Sequence, residues 1–198
     1  GVLGLYVLER DQMLLGNPNA RMVRKAVVQG GTGPNGLLNA DLDGTILPPA
    51  GSPNYLIGTR DNDIGASSDS LLLYRYQVNW ANPDSSTLTP LPIEIPIASF
   101  DTIFPCSPTA RECIPQPGTT TKVDILSYRQ RPTFRLSYRN FGTHESLVTT
   151  QSVEGSTGMA GMRWWEIRNP GGTPGMSTGT RNSEGSQSRG HEGLDPLG

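Results

Sequence analysis

Four arginines, Arg129, Arg131, Arg135 and Arg139, fall within eleven residues, with Tyr128, Tyr138, His144 and Glu145 close by. Arginine suits a carboxylate because its planar fork engages both oxygens at once. A tyrosine beside a glutamate adds a hydroxyl and a base, the combination an activated nucleophile needs. Over residues 133–141, strand alternation places Arg135 and Arg139 on one face and Tyr138 on the other. The candidate ligand-binding residues are therefore Arg135, Arg139, Tyr138 and Glu145, with Tyr138 turned away from the arginines. The alternative is that the arginines make ion pairs on the surface.

Asp61, Asp63 and Asp69 in RDNDIGASSD space carboxylates as a calcium loop does, which makes calcium the one cofactor the sequence raises. The glycine and the final glutamate of the helix-loop-helix calcium site are missing, and Asp41 and Asp43 in ADLDG are similarly incomplete. Both stretches also read as solvated turns, since Asp readily bonds its own backbone. His144-Glu145 lacks the second histidine of a metalloprotease helix. The only other histidine, His191, lies in the C-terminal tail, so no Ser-His-Asp set can be placed. GGTGPNG, at 30–36, lacks the Lys-Ser/Thr ending of a phosphate loop.

Cys106 and Cys113 sit in FPCSPTARECIPQPG with no His or Cys partners that would make a zinc site. A local disulfide fits the short proline-flanked loop and implies an oxidising compartment; two free thiols are the alternative.

These residues must be positioned by strands. Residues 122–168 contain four short runs of period-two character, at 123–128, 133–141, 146–153 and 162–168, separated by turn signals. Four consecutive antiparallel strands of this length make one β-propeller blade. Residues 71–80 alternate most clearly, with Leu72, Tyr74, Tyr76, Val78 and Trp80 on one side. Residues 87–97 carry Pro90, Pro92 and Pro96, which remove ladder donors and confine the segment to a sheet edge. Strands leading to Asn-Pro recur at Asn17, Asn82 and Asn169, an uneven internal repeat. Beyond residue 172 the chain is rich in glycine and serine with no aromatic, which predicts a disordered tail over 173–198.

Gly 24 and Pro 17 make up about a fifth of the chain, above the usual ~12%. The net charge of −2 supplies no field to attract nucleic acid. No apolar run approaches the ~18 residues of a membrane span. The opening GVLGLYVLER already reads as a strand, as in a fragment of something longer.

YVLERDQML, ADLDG, PPAGSPNY, the VNWANP strand end, the CIPQPGT loop and above all LSYRQRPTFRLSYRNFGTHESLV with GMRWWEIR form a distinctive set. Over about residues 3–170 the chain resembles a group of large, exported bacterial proteins of β-propeller type. The resemblance implies an all-β fold of antiparallel four-stranded blades, a partial, open propeller over 1–172, and a secreted or cell-surface location. It implies no catalytic residues. The expected role is a binding segment for a glycan or protein, with the remaining blades of a longer chain as partners. A carbohydrate-active hydrolase of sialidase type is the alternative, although the Asp-box of those enzymes is absent. In an open fragment, apolar residues of the terminal blades, such as Tyr74, Trp80, Phe134 and Trp165, are expected to be partly exposed.

Overall fold

The computed structural model of the chain describes residues 1–29, 34–101, 112–114, 116–124, 131–154, 160–182 and 187–190. It is all-β, with one short α-helix and two single 3-10 turns among the described residues, and its sheet is open and curled, consistent with a partial propeller. The first hairpin pairs β1 (Val2–Leu8) with β2 (Met22–Val28), around the helix α1 (Arg10–Leu14). Then come β3 (Leu38–Asp43), β4 (Asn54–Arg60), β5 (Ser70–Gln77), β6 (Thr87–Leu88) and β7 (Ile93–Pro96). A small separate ladder joins β8 (Glu112–Ile114) to β9 (Val123–Asp124). The rest is a meander of β10 (Thr133–Asn140), β11 (Glu145–Glu154), β12 (Ala160–Arg168), β13 (Gly175–Asn182) and β14 (Gln187–Gly190).

Two antiparallel units, β3 to β7 and β10 to β14, share one ten-stranded sheet because β3 and β10 pair in parallel. The sheet curls until its inner faces meet. Tyr55, Ile57, Leu71 and Leu73 from β4 and β5 pack against Leu136, Tyr138, Leu147, Trp165 and Ile167 from β10, β11 and β12. The opposite face of β4 and β5, with Leu56, Leu72, Tyr74 and Tyr76, is covered by Val23 and Val27 and by the partly buried Leu3, Leu5 and Val7 of the first hairpin. β4 and β5 are thus buried on both sides, which is why YLIGT and SLLLY carry no continuous polar face. Each of Leu71, Leu72 and Leu73 is completely shielded, a gain of about 1.5–3 kcal/mol apiece. Gly58 lies at the middle of β4, where an added Cβ would stand 2.6 Å from the Cβ of Pro34.

Three expectations change. The strand beside β10 is β3, whereas of 123–128 only Val123–Asp124 is described as strand, and it pairs with β8. Tyr74 and Trp165 are buried, because the hairpin and the curl cover them, whereas Trp80 is half-buried and Phe134 is open at 80% exposure, as expected of a partly exposed face. Within 173–198, where disorder was expected, Gly175–Asn182 pairs along the whole of β12 from Arg168 to Gly161, and Gln187–Gly190 adds to it. Its composition supplies no core, but an existing strand edge supplies the hydrogen-bond partners. Residues 87–97 do occupy the edge, with Pro90 and Pro92 in the gap between β6 and β7.

Candidate functional site

The described arginines, Arg131, Arg135 and Arg139, do not converge. β10 turns Arg135, Ser137 and Arg139 outward, and the parallel register Ser137↔Asp41 and Arg139↔Asp43 brings the two aspartates of ADLDG to the same outer face. Arg135 Nε lies 3.0 Å from Asp41 Oδ2, and its Nη2 donates to Asp43 Oδ1. The hydrogen bond to Asp43 and both negative charges hold its guanidinium even more firmly protonated. Arg135 is therefore committed within the chain, and the incomplete calcium motif at 41–43 is its counter-charge. Arg139 lies instead over the Phe141 ring, 5.0 Å from its centroid, and Phe141 stacks on His144 at 4.8 Å. Arg131 packs beside Gly36, and Arg129 and Tyr128 lie outside the described residues.

Tyr138 and Glu145 do meet, at the base of the β10–β11 hairpin. Asn140 accepts from Gly142 N at 2.8 Å and Phe141 N donates to His144 O at 2.9 Å, closing a tight loop. The register then sets the Tyr138 hydroxyl to donate to Glu145 Oε1 at 2.5 Å. Tyr55 stacks on Tyr138 with centroids 5.9 Å apart. Burial first, then the charge of Glu145, pushes the Tyr55 hydroxyl up to about 12, with Arg75 opposing. Tyr138 is raised too, by burial and then by its bond to Glu145. Arg75 donates to the Pro170 and Gly172 carbonyls at 2.9 and 2.6 Å, and Gly171 sits against the Tyr55 hydroxyl. The turn so clamped walls the pair in, leaving Tyr138 only 3% exposed. A nucleophile must reach substrate; this tyrosine is a packed hydrogen-bond donor.

The acidic loop is similarly self-contained. Asp61 Oδ1 accepts from Asp63 N at 2.8 Å, Asp69 Oδ1 from Asn62 N at 2.8 Å, and Asp69 Oδ2 from Phe100 N at 3.1 Å. Asp61 and Asp69 are buried, and Asp63 is exposed with its carboxyl raised by desolvation and by Asp61, Asp101 and Asp69. Among the described residues no group of three or more His, Cys, Asp or Glu is arranged to hold a metal ion. Backbone N–H groups thus take one oxygen of Asp61 and both oxygens of Asp69. Cys106 and the side chain of Cys113 lie outside the described residues.

The open features flank the first hairpin. Glu9 N donates to Arg21 O and Gln29 N to Gly1 O, both at 3.0 Å, which fixes the phase of the ladder. Odd-numbered residues of β1 bond across to β2, while Gly4, Tyr6 and Leu8 on β1 and Arg24, Ala26 and Val28 on β2 turn their N–H and C=O groups outward. A groove of about 490 Å³ runs along the β1 edge and one of about 770 Å³ along the β2 edge. Consecutive residues line each, Gly4 to Leu8 and Lys25 to Val28, as expected where a strand presents its edge.

Across from β1, Asn39, Ser52 and Asn54 line the smaller groove, and their side chains have no hydrogen-bond partner among the described residues. Tyr76, 2% exposed, also lines it, and its hydroxyl is buried without a partner. Sequence reasoning passed these residues over because Asn39 lies on β3 while Asn54 opens β4 and Ser52 lies just before it, and together they form no motif. The period-two pattern of residues 2–8 was the one legible signal. No family model, curated protein or solved structure matches the chain.

Proposed function

We propose that this chain is a non-catalytic binding segment of a larger, exported bacterial β-propeller protein, and that it takes a neutral glycan in the groove beside β1. The observation that carries the reading is the convergence of Asn39, Ser52 and Asn54, unengaged among the described residues, on a groove bordered by Tyr6. Amides offer donors and an acceptor side by side, which matches the vicinal hydroxyls of a sugar. The exposed Tyr6 ring offers an apolar face for sugar C–H groups, and the Tyr76 hydroxyl is an unused donor below. The volume falls within the ~300–1,000 Å³ of small-ligand sites. Binding is favoured over hydrolysis because the Tyr138 hydroxyl is buried and bonded to Glu145, and Arg135 is paired with Asp41 and Asp43. Export is supported by the spacing of Cys106 and Cys113, and a mass shift of the purified protein on reduction and alkylation tests it.

The test of the binding role is calorimetric titration with neutral oligosaccharides chosen from a glycan array. Asn54→Ala and Tyr6→Ala should each weaken binding about tenfold, roughly the loss of one good polar or stacking contact, with the melting temperature retained. Array silence, or binding indifferent to both substitutions, removes this reading.

A further inference from the structure

The larger groove, along β2, has a different chemistry. Its β2 wall carries the outward N–H and C=O groups of Ala26 and Val28, which bond to nothing among the described residues. Its other wall is Ser86 to Pro92, where Pro90 and Pro92 have no N–H to donate. Leu88, Leu91 and Val27 give the lining apolar sockets. Lys25, on the same wall, has no carboxylate within ion-pair distance among the described residues. Arg60 brings a second cation, paired with Glu94 at 2.9 Å, and Arg24 beside the groove meets the Tyr6 ring at 5.8 Å.

We propose that the free edge of β2 docks an extended acidic segment of a partner protein, which adds as a strand beside residues 24–28. Main-chain bonds to Ala26 and Val28 would supply affinity, and alternate side chains would meet the apolar sockets and Lys25. Charge selects this occupant. A second copy adding antiparallel through its own β2 adds two further cations, Arg24 and Lys25, to an edge that already carries two, and like charges brought together across a strand pair are destabilising. The same basic residues that guard the edge against self-association complement a carboxylate-bearing strand. Pro90 and Pro92 keep the far wall from competing for it, so the incoming strand pairs on one side only.

The test is fluorescence anisotropy of the full chain with a labelled hexapeptide alternating glutamate and valine. It should bind in the micromolar range, and its lysine–valine counterpart at least about tenfold more weakly. Lys25→Glu should reverse that preference. Ala26→Pro should abolish binding with the melting temperature held, because the Ala26 N–H bonds to nothing among the described residues. Equal binding of both peptides, no binding of either, or a Lys25→Glu variant with unchanged preference overturns the proposal. So does a dimer, seen by light scattering, that Ala26→Pro dissociates, since the occupant would then be a second copy.

Discussion

The Tyr138 hydroxyl donates to Glu145 Oε1 at 2.5 Å, and the Tyr55 ring lies parallel to Tyr138 beneath the turn that Arg75 clamps. Chemically this is the tyrosine–glutamate pair of a nucleophilic site; structurally it is a closed joint between the two halves of the curled sheet. What it contributes is stability.

That joint makes stability depend on pH at the alkaline end. An ordinary tyrosine ionises near 10, whereas Tyr55 in the folded chain is raised to about 12 and Tyr138 is raised as well. The unfolded chain therefore loses these protons first. The stabilisation is complete below about pH 10 and is lost as pH rises toward about 12. Thermal melts from pH 7 to 12 should show a fall beginning near 10, with a buried fraction of phenolate absorbance appearing only on unfolding. Tyr138→Phe leaves Glu145 without its donor and should cost about 1–2 kcal/mol. Complete phenolate titration of the folded chain near pH 10 would contradict this.

Asp69 accepts from the backbone of both Asn62 and Phe100, so Asp69→Ala strands two donors. Denaturant melts should show a loss of about 1–3 kcal/mol. Millimolar calcium should leave the wild-type melting temperature where it is, because the same oxygens are already used. A calcium-dependent rise that Asp69→Ala removes would return this loop to the cation-binding reading.

Gly58→Ala should destabilise by about 1–3 kcal/mol, the usual cost of overpacking. The new Cβ would meet Pro34 Cβ at 2.6 Å and Gly36 O at 3.0 Å, so the crossing segment must move. Hydrogen exchange should rise in β3 and β4 before it rises in β11 and β12. A variant as stable as the parent would mean that the segment at Pro34 yields freely.

Leu72→Ala and Phe134→Ser should behave oppositely. Leu72 is fully shielded between the sheet and the hairpin, and its truncation should cost about 2–5 kcal/mol. Phe134 stands at 80% exposure, and its replacement should stay within about 0.5 kcal/mol while improving solubility. Comparable losses in the two variants would show that a partner or neighbouring strand covers Phe134 in solution.

Period two is a property of neighbours along the chain, and so it could be read directly. Residues 71–80 alternate as expected, with Leu72, Tyr74 and Tyr76 in one core and Leu71 and Leu73 in the other. Tyr138 and Arg135 fall on opposite faces of β10 for the same reason. The edge position of residues 87–97 followed from missing proline donors, which is also local. Which faces are covered, and by what, is decided by elements far apart in sequence. Arg135 and Asp43 are ninety-two residues apart and meet only because β3 and β10 pair in parallel. Gly175–Asn182 has a composition that cannot build a core, yet it is ordered as a strand because β12 offers an edge. The amides of Asn39 and Asn54 become one groove wall only when the first hairpin settles on β4 and β5. Local sterics set each strand and its alternation; burial and backbone pairing between distant segments chose which of those alternating faces became core, joint or open groove.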